Sequence, residues 1–149
     1  MIGHMKLYKS VLHDKKNTIP QWFQETISSY VSIINKCKYS YDNHWKNAVF
    51  LINDQNKSDK IKVVLESHKP EDYFKGKELA LLIYAKKLTL YPSRFNIDDF
   101  KKLKVEGLED GEILEANQII CYFNYVNRSI NGLGVTTEGD IVGYYENEK

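Results

Sequence analysis

The sequence predicts an all-α protein of six or seven helices, and three observations carry that prediction. Apolar residues recur at intervals of three and four along most of the chain, the spacing that gathers them on one face of a helix. Helix start and stop residues punctuate those stretches at the expected places. No Pro-rich or Gly/Ser-rich linker divides the 149 residues, whose three prolines are scattered, and no repeat recurs at solenoid periods.

The elements follow in order. Residues 2–12 place Met5, Tyr8 and Leu12 on one face of a short first helix. Thr18 is read as an N-cap with Pro20 in the first turn, where its missing N–H costs nothing. From there Trp22, Phe23, Thr26, Ile27, Tyr30, Val31 and Ile34 fill a broad apolar face ending near Asn35, and a second face carries Glu25, Ser29, Ser32 and Lys36. After a turn at 36–39, residues 40–52 return to helical period through Trp45, Ala48, Val49 and Ile52. Ser58 caps a short helix through Ile61, Val64 and Leu65. Pro70, Glu71 and Asp72 make an acidic first turn for a long helix to Leu90, ended by Tyr91 before Pro92. Asn96 and Asp99 form a capping box, and Gly107 is a C′ glycine after Val105. The last helix spans 110–133 with Ile113, Ala116, Ile119, Ile120, Phe123, Val126 and Ile130 on one face, and Gly132 and Gly134 stop it. Residues 1–134 thus form one helical domain. Residues 135–149 are a tail in which 141–145 reads as a short strand or a disordered end.

Composition narrows the function classes. Hydrophobic residues at 42% and charged residues at 28% are globular values that exclude a disordered chain. Lys plus Arg total 21 against 20 for Asp plus Glu, which argues against a strongly basic nucleic-acid binder. The eleven tyrosines, Tyr30 and Tyr84 among them, fall mostly on apolar faces, where a core or interface role outweighs base stacking. The longest apolar run, 79–85, is far short of the roughly 18 residues of a membrane span, and no signal peptide is read at the start. No nucleic-acid or membrane partner is therefore expected. Two cysteines make no disulfide framework, so the cytoplasm is the expected compartment. His4, His13 and His68 share no metal-ligand spacing with one another or with His44, and no metal site is predicted.

One constellation has chemical spacing. Ser40 and His44 stand four apart on a predicted helix and so share a face. Cys37 precedes that helix by a turn, where the positive end of the macrodipole favours thiolate. Glu25, on the preceding helix, reaches His44 if the two helices pack antiparallel. Carboxylate, imidazole and thiol would then form a proton relay beside a reactive sulfur. Against this stand a buried, inert Cys37 and a solvated face for Glu25, Ser29 and Ser32. Cys121, among Ile119, Ile120 and Phe123, reads as a core cysteine; to resolve an oxidised Cys37 it would need a Cα separation within about 7 Å.

Glu25, Cys37, Ser40 and His44 together resemble the E-x11-C-x-x-C-x-x-x-H signature of the AhpD-like branch of the carboxymuconolactone decarboxylase family. Residues 84–89 (YAKKLT), 107–114 and 122–128 (YFNYVNR), closing on Gly132, Leu133, Gly134 and Val135, are similar to segments of its peroxidase-related subgroup. The resemblance covers most of 5–135. It implies a fold of packed helices, assembly into dimers, trimers or hexamers, and peroxidase or disulfide-reductase chemistry on small peroxides with a thiol reductant. It also implies relay roles for Glu25 and His44 and the first-cysteine position for Cys37. Position 40 is serine where the redox members carry their second cysteine. A hydroxyl is a poor nucleophile toward peroxide and forms no disulfide, so the dithiol cycle is closed to this chain. Three readings are open: a one-cysteine thiol peroxidase at Cys37, a non-redox pocket for binding or proton transfer built on Glu25, Ser40 and His44, and a catalytically silent oligomeric module. None requires a cofactor.

Overall fold

A computed structural model of the chain describes residues 2–145, which form seven α-helices and two 3₁₀ turns. The helices are α1 (Ile2–Leu12), α2 (Gln21–Ile34), α3 (Lys38–Ile52), α4 (Gln55–Glu66), α5 (Gly76–Leu90), α6 (Ile97–Val105) and α7 (Asp110–Leu133). The all-α expectation holds, with no strand among the described residues.

Helix α2 runs through the middle and packs against α3, α5 and α7, while α1 lies on α7. Ten consecutive residues of α2, from Phe23 to Ser32, are buried, so its polar face is not the solvated surface that its serines suggested. Burial is tolerated because each serine and threonine hydroxyl bonds back to the carbonyl four residues earlier: Thr26 to Trp22, Ser28 to Gln24, Ser29 to Glu25 and Ser32 to Ser28, all at 2.7–2.8 Å. Small side chains satisfied by their own helix leave room for α3 to lie close. The apolar face of α2 meets Leu81, Leu82 and Ala85 of α5 and Ile119, Ile120 and Phe123 of α7 in one core.

Local expectations and structure part at four places. Thr18 does not cap α2; its N–H and hydroxyl bond the Glu115 carboxylate of α7 at 2.9 Å, and Pro20 takes the cap position. Helix α4 is capped by Asp54, whose side chain accepts from the Lys57 N–H, while Ser58 lies inside the helix. Pro70–Asp72 is a single 3₁₀ turn, and α5 begins only at Gly76 after an extended Lys75. That break lets Phe74 turn inward, 1% exposed, against the ring of Phe23 at 5.8 Å. Gly132 sits within α7, which ends at Gly134 in the left-handed region (φ +63°). The predicted capping box at Asn96 and Asp99 is present.

The tail is the other departure. Residues 141–145 pair with no strand; they fold back over α3, where the Gly143 N–H donates to Asn43 Oδ1 at 3.1 Å and the Tyr144 N–H to Asn47 Oδ1 at 2.6 Å. Gly143 suits this turn because its φ is +89°, where a side chain is strained, and a Cβ would also press on the Lys46 side chain, 3.0 Å from its Cδ.

The core also carries an unmet polar group. Tyr30 is fully buried, and its hydroxyl has no hydrogen-bond partner. Burial, with the Glu71 charge second, pushes its phenol up to about 12. A raised phenol keeps its proton in the folded chain while the unfolded chain loses it above 10, so this group costs stability as pH rises from about 10 to about 12. Tyr30→Phe should stabilise the fold by about 1 kcal/mol at neutral pH and reduce the loss at alkaline pH. Urea unfolding at pH 7 and pH 10.5, on the order of one proton's difference for this group, would read both; a destabilised variant would mean that the hydroxyl is satisfied.

Candidate active site

The antiparallel packing of α2 and α3 brings Glu25 and His44 together. His44 Nδ1 lies 2.6 Å from Glu25 Oε2, and Glu25 is fully buried. The other carboxylate oxygen accepts from Asn47 Nδ2 at 3.3 Å and from the Tyr145 hydroxyl at 3.4 Å. A buried carboxylate requires such partners, and these three come from α3 and the tail. The Asn47 amide is oriented by the Tyr144 N–H on its Oδ1, which leaves its NH₂ for Glu25. With a carboxylate at Nδ1, His44 carries its proton there and presents Nε2 as an acceptor. The imidazole packs perpendicular to the Phe123 ring, with ring centroids 4.5 Å apart at 85°.

Ser40, one turn before His44, is nearly buried. Its hydroxyl lies 2.9 Å from Ser32 Oγ, and Ser32 is itself 2.8 Å from the Ser28 carbonyl. Asn127 Nδ2 donates to Ser32 at 3.2 Å. The single Ser32 proton has three acceptors within reach, the Ser28 carbonyl, Ser40 Oγ and Asn127 Oδ1, so Ser40 is tied to α2 and α7 through Ser32.

Ser40 and His44 line a cavity of about 300 Å³. Its walls are His4, Met5 and Tyr8 of α1, Tyr39, Asn43 and Asn47 of α3, Tyr122, Val126 and Ile130 of α7, and Gly143 and Tyr144 of the tail. No lysine, arginine, aspartate or glutamate is among these lining residues. The rings and the aliphatic end of the cavity suit a flat, uncharged molecule that meets one base and a few hydrogen-bonding groups.

Cys37 is placed elsewhere. It caps α3, as its spacing suggested, but it is 1% exposed and borders a separate shallow depression with Ile33, Lys36, Lys38 and Tyr41. Burial pushes its thiol up, and the Ser40 backbone N–H only partly offsets this. Desolvation therefore outweighs the helix terminus that was expected to favour thiolate. Cys121 is exposed rather than in the core, with Asn117 Oδ1 at 3.8 Å, and both thiols are unbridged. Asn124 ties α7 to α5, its Nδ2 donating to Thr89 Oγ1 at 3.0 Å, while Arg128 donates within α7 to the Asn124 carbonyl at 2.8 Å.

Sequence reasoning missed Asn47 and Tyr145. Asn47 stands three residues after His44, so helical spacing alone could have placed it on the same face. Tyr145 lies 120 residues from Glu25 in sequence, and no local pattern signals it.

No protein-family model matches the chain, and no curated protein does. Solved structures are similar to it. An uncharacterized peroxidase-related protein from Silicibacter sp. TM1040 matches with a TM-score of 0.79 at 20% identity, over 91% of this chain and 68% of that one. An uncharacterized peroxidase-related protein with an alkylhydroperoxidase AhpD core, from Ralstonia eutropha JMP134, matches at 0.77 and 18%, over 88% and 66%. A debrominase, solved as a cysteine-to-alanine variant with 2,3,4-tribromopyrrole, matches at 0.76 and 18%, over 93% and 70%. This chain therefore spans about two thirds of the length of these proteins. Among the described residues, no helix is long and apolar enough to cross a membrane. The order and packing of its helices are those of the AhpD-like fold of peroxidase-related proteins.

Proposed function

We propose that the pocket under α1 binds a small uncharged molecule and moves one of its protons through His44, without thiol redox chemistry. The observation that carries this reading is the division of the site. His44 is held at Nδ1 by buried Glu25, 2.6 Å away, and lines the cavity with Ser40, whereas Cys37 is buried beside a different depression with its thiol pushed up. In the proposed step Nε2 accepts the proton, and Glu25 stabilises the imidazolium that forms. Ser40 and Asn43 orient polar groups of the bound molecule. The structurally similar debrominase was solved with a flat ring, 2,3,4-tribromopyrrole, and a flat ring is the kind of molecule this reading assigns to the cavity.

The one-cysteine peroxidase reading asks Cys37 for an accessible thiolate, and its burial and raised thiol weigh against that. The two readings separate on one probe pair. Ring opening of 5-nitrobenzisoxazole, a flat neutral carbon acid, reports a base: its C–H proton goes to the base, and the N–O bond breaks to give a coloured phenolate. The wild type and Cys37→Ala should accelerate it equally, and His44→Ala should lose about 10²–10⁴-fold, the usual weight of a general base. Consumption of tert-butyl hydroperoxide with dithiothreitol that disappears in Cys37→Ala, or ring opening indifferent to His44→Ala, would sink the proposal.

A further inference from the structure

We propose that Tyr145 is a positioning residue for the Glu25–His44 pair, delivered by a C-terminal strap that completes the site. This deepens the proton-transfer reading and rests on it. Glu25 is fully buried and has two oxygens to satisfy. His44 takes one, and the other accepts from Asn47 at 3.3 Å and from the Tyr145 hydroxyl at 3.4 Å. The tyrosine is itself held: Gln21 Nε2 donates to its oxygen at 2.7 Å, so its single proton is directed to the carboxylate. Its ring stacks on Phe50 at 6.3 Å and 9° and meets Tyr144 edge-on at 5.4 Å.

The neighbouring backbone acts on the same carboxylate by a second route. The Tyr144 N–H fixes the Asn47 amide at 2.6 Å, and this directs the Asn47 NH₂ to Glu25. Two of the three donors on Glu25 thus depend on the strap, one directly and one through Asn47. The strap can reach this depth because Gly143 passes Lys46 with a φ of +89°, a backbone conformation that glycine adopts without strain. Tyr145 also remains a donor at all ordinary pH, since burial, with Glu25's charge added, drives its phenol well above its usual range.

The titratable groups around the pair and its pocket include His4 and Tyr8 of α1, the latter's ring centroid 6.5 Å from that of His44, His13 after α1, whose Nδ1 lies 3.5 Å from the Tyr145 oxygen, Tyr39 of α3, Tyr122 of α7 and Tyr144 of the strap. A phenylalanine at 145 keeps the ring against Phe50 and removes only the hydroxyl. With one donor lost, more of the carboxylate's charge falls on the His44 bond, which strengthens.

The test is the downfield imidazole Nδ1–H resonance in ¹⁵N-labelled full-length protein, assigned to His44 by its loss in His44→Ala. Tyr145→Phe should move it further downfield, and deletion of 143–149 should also speed its exchange with water until it broadens away. A resonance unmoved by Tyr145→Phe overturns the inference even if the deletion has an effect, because the strap would then act only as a cover. In that outcome the Glu25–His44 pair still stands. If the wild type shows no such resonance, the pair itself fails, and the proton-transfer reading fails with it.

Discussion

Glu25→Gln is expected to leave the chain folded and to lower base-dependent turnover by about 10²–10⁴-fold, as much as loss of the imidazole itself. The reason lies in which way the new amide must turn. Asn47 presents its NH₂ to Oε1 of Glu25 because the Tyr144 N–H occupies its own oxygen, and the Tyr145 hydroxyl also donates on that side. The amide therefore places its carbonyl toward those donors and its NH₂ toward His44. An NH₂ at Nδ1 forces the ring to accept there and to carry its proton on Nε2, the atom that faces the pocket. The imidazole is then in the wrong tautomer to take a proton, although no side chain has moved far. The rate of 5-nitrobenzisoxazole opening, read beside thermal unfolding, separates this from loss of fold. Activity within threefold of the wild type in a folded variant would show that the carboxylate does not set the tautomer, on an order-of-magnitude scale of general-base effects.

Phe123→Ala should cost about 3–5 kcal/mol of stability, a large part of the roughly 5–15 kcal/mol that a domain of this size has. Phe123 is fully buried and stands where α7 meets both the core and the site. Its ring stands perpendicular to those of His44 and Tyr122, with centroids 4.5 and 5.3 Å away. α1 and α7 form two walls of the cavity, and a void at their base weakens both the core and the support of the imidazole. Urea unfolding should show a lower midpoint at unchanged slope. A loss below about 1 kcal/mol would mean that the surrounding helices collapse into the space, which measured cavity costs show to be uncommon for a buried aromatic.

Most of the helices were legible in the chain because their signals are local. The apolar spacing along 110–133, the capping box at Asn96 and the glycine at 107 each act within two turns of backbone, and each appears where its residues predict. The long helix expected from Pro70 failed for a reason that is not local. Its first turn is adequate by itself, but the chain breaks after it and buries Phe74 against Phe23, a contact the local pattern does not contain. The serines of α2 were ambiguous in the same way. Spacing shows that they share a face, and only the neighbouring α3 decides whether that face meets water or another helix.

The site divides along the same line. The sequence by itself determined that Ser40 and His44 share a helical face and that Glu25 lies within reach on the preceding helix, because helical geometry and a short turn constrain all three. It also placed a serine at position 40, whose hydroxyl can form no disulfide with Cys37. The tertiary structure decided the rest. It buried Cys37 and raised its thiol through desolvation, a property of everything packed around a group and not of its neighbours in sequence. It left Cys121 exposed although Ile119, Ile120 and Phe123 beside it are buried, because one helix has both an inner and an outer face. It also brought Tyr145 to Glu25 across 120 residues. A contact of that range is set by where α3, α7 and the tail come to rest together, and no period or cap in the chain encodes it.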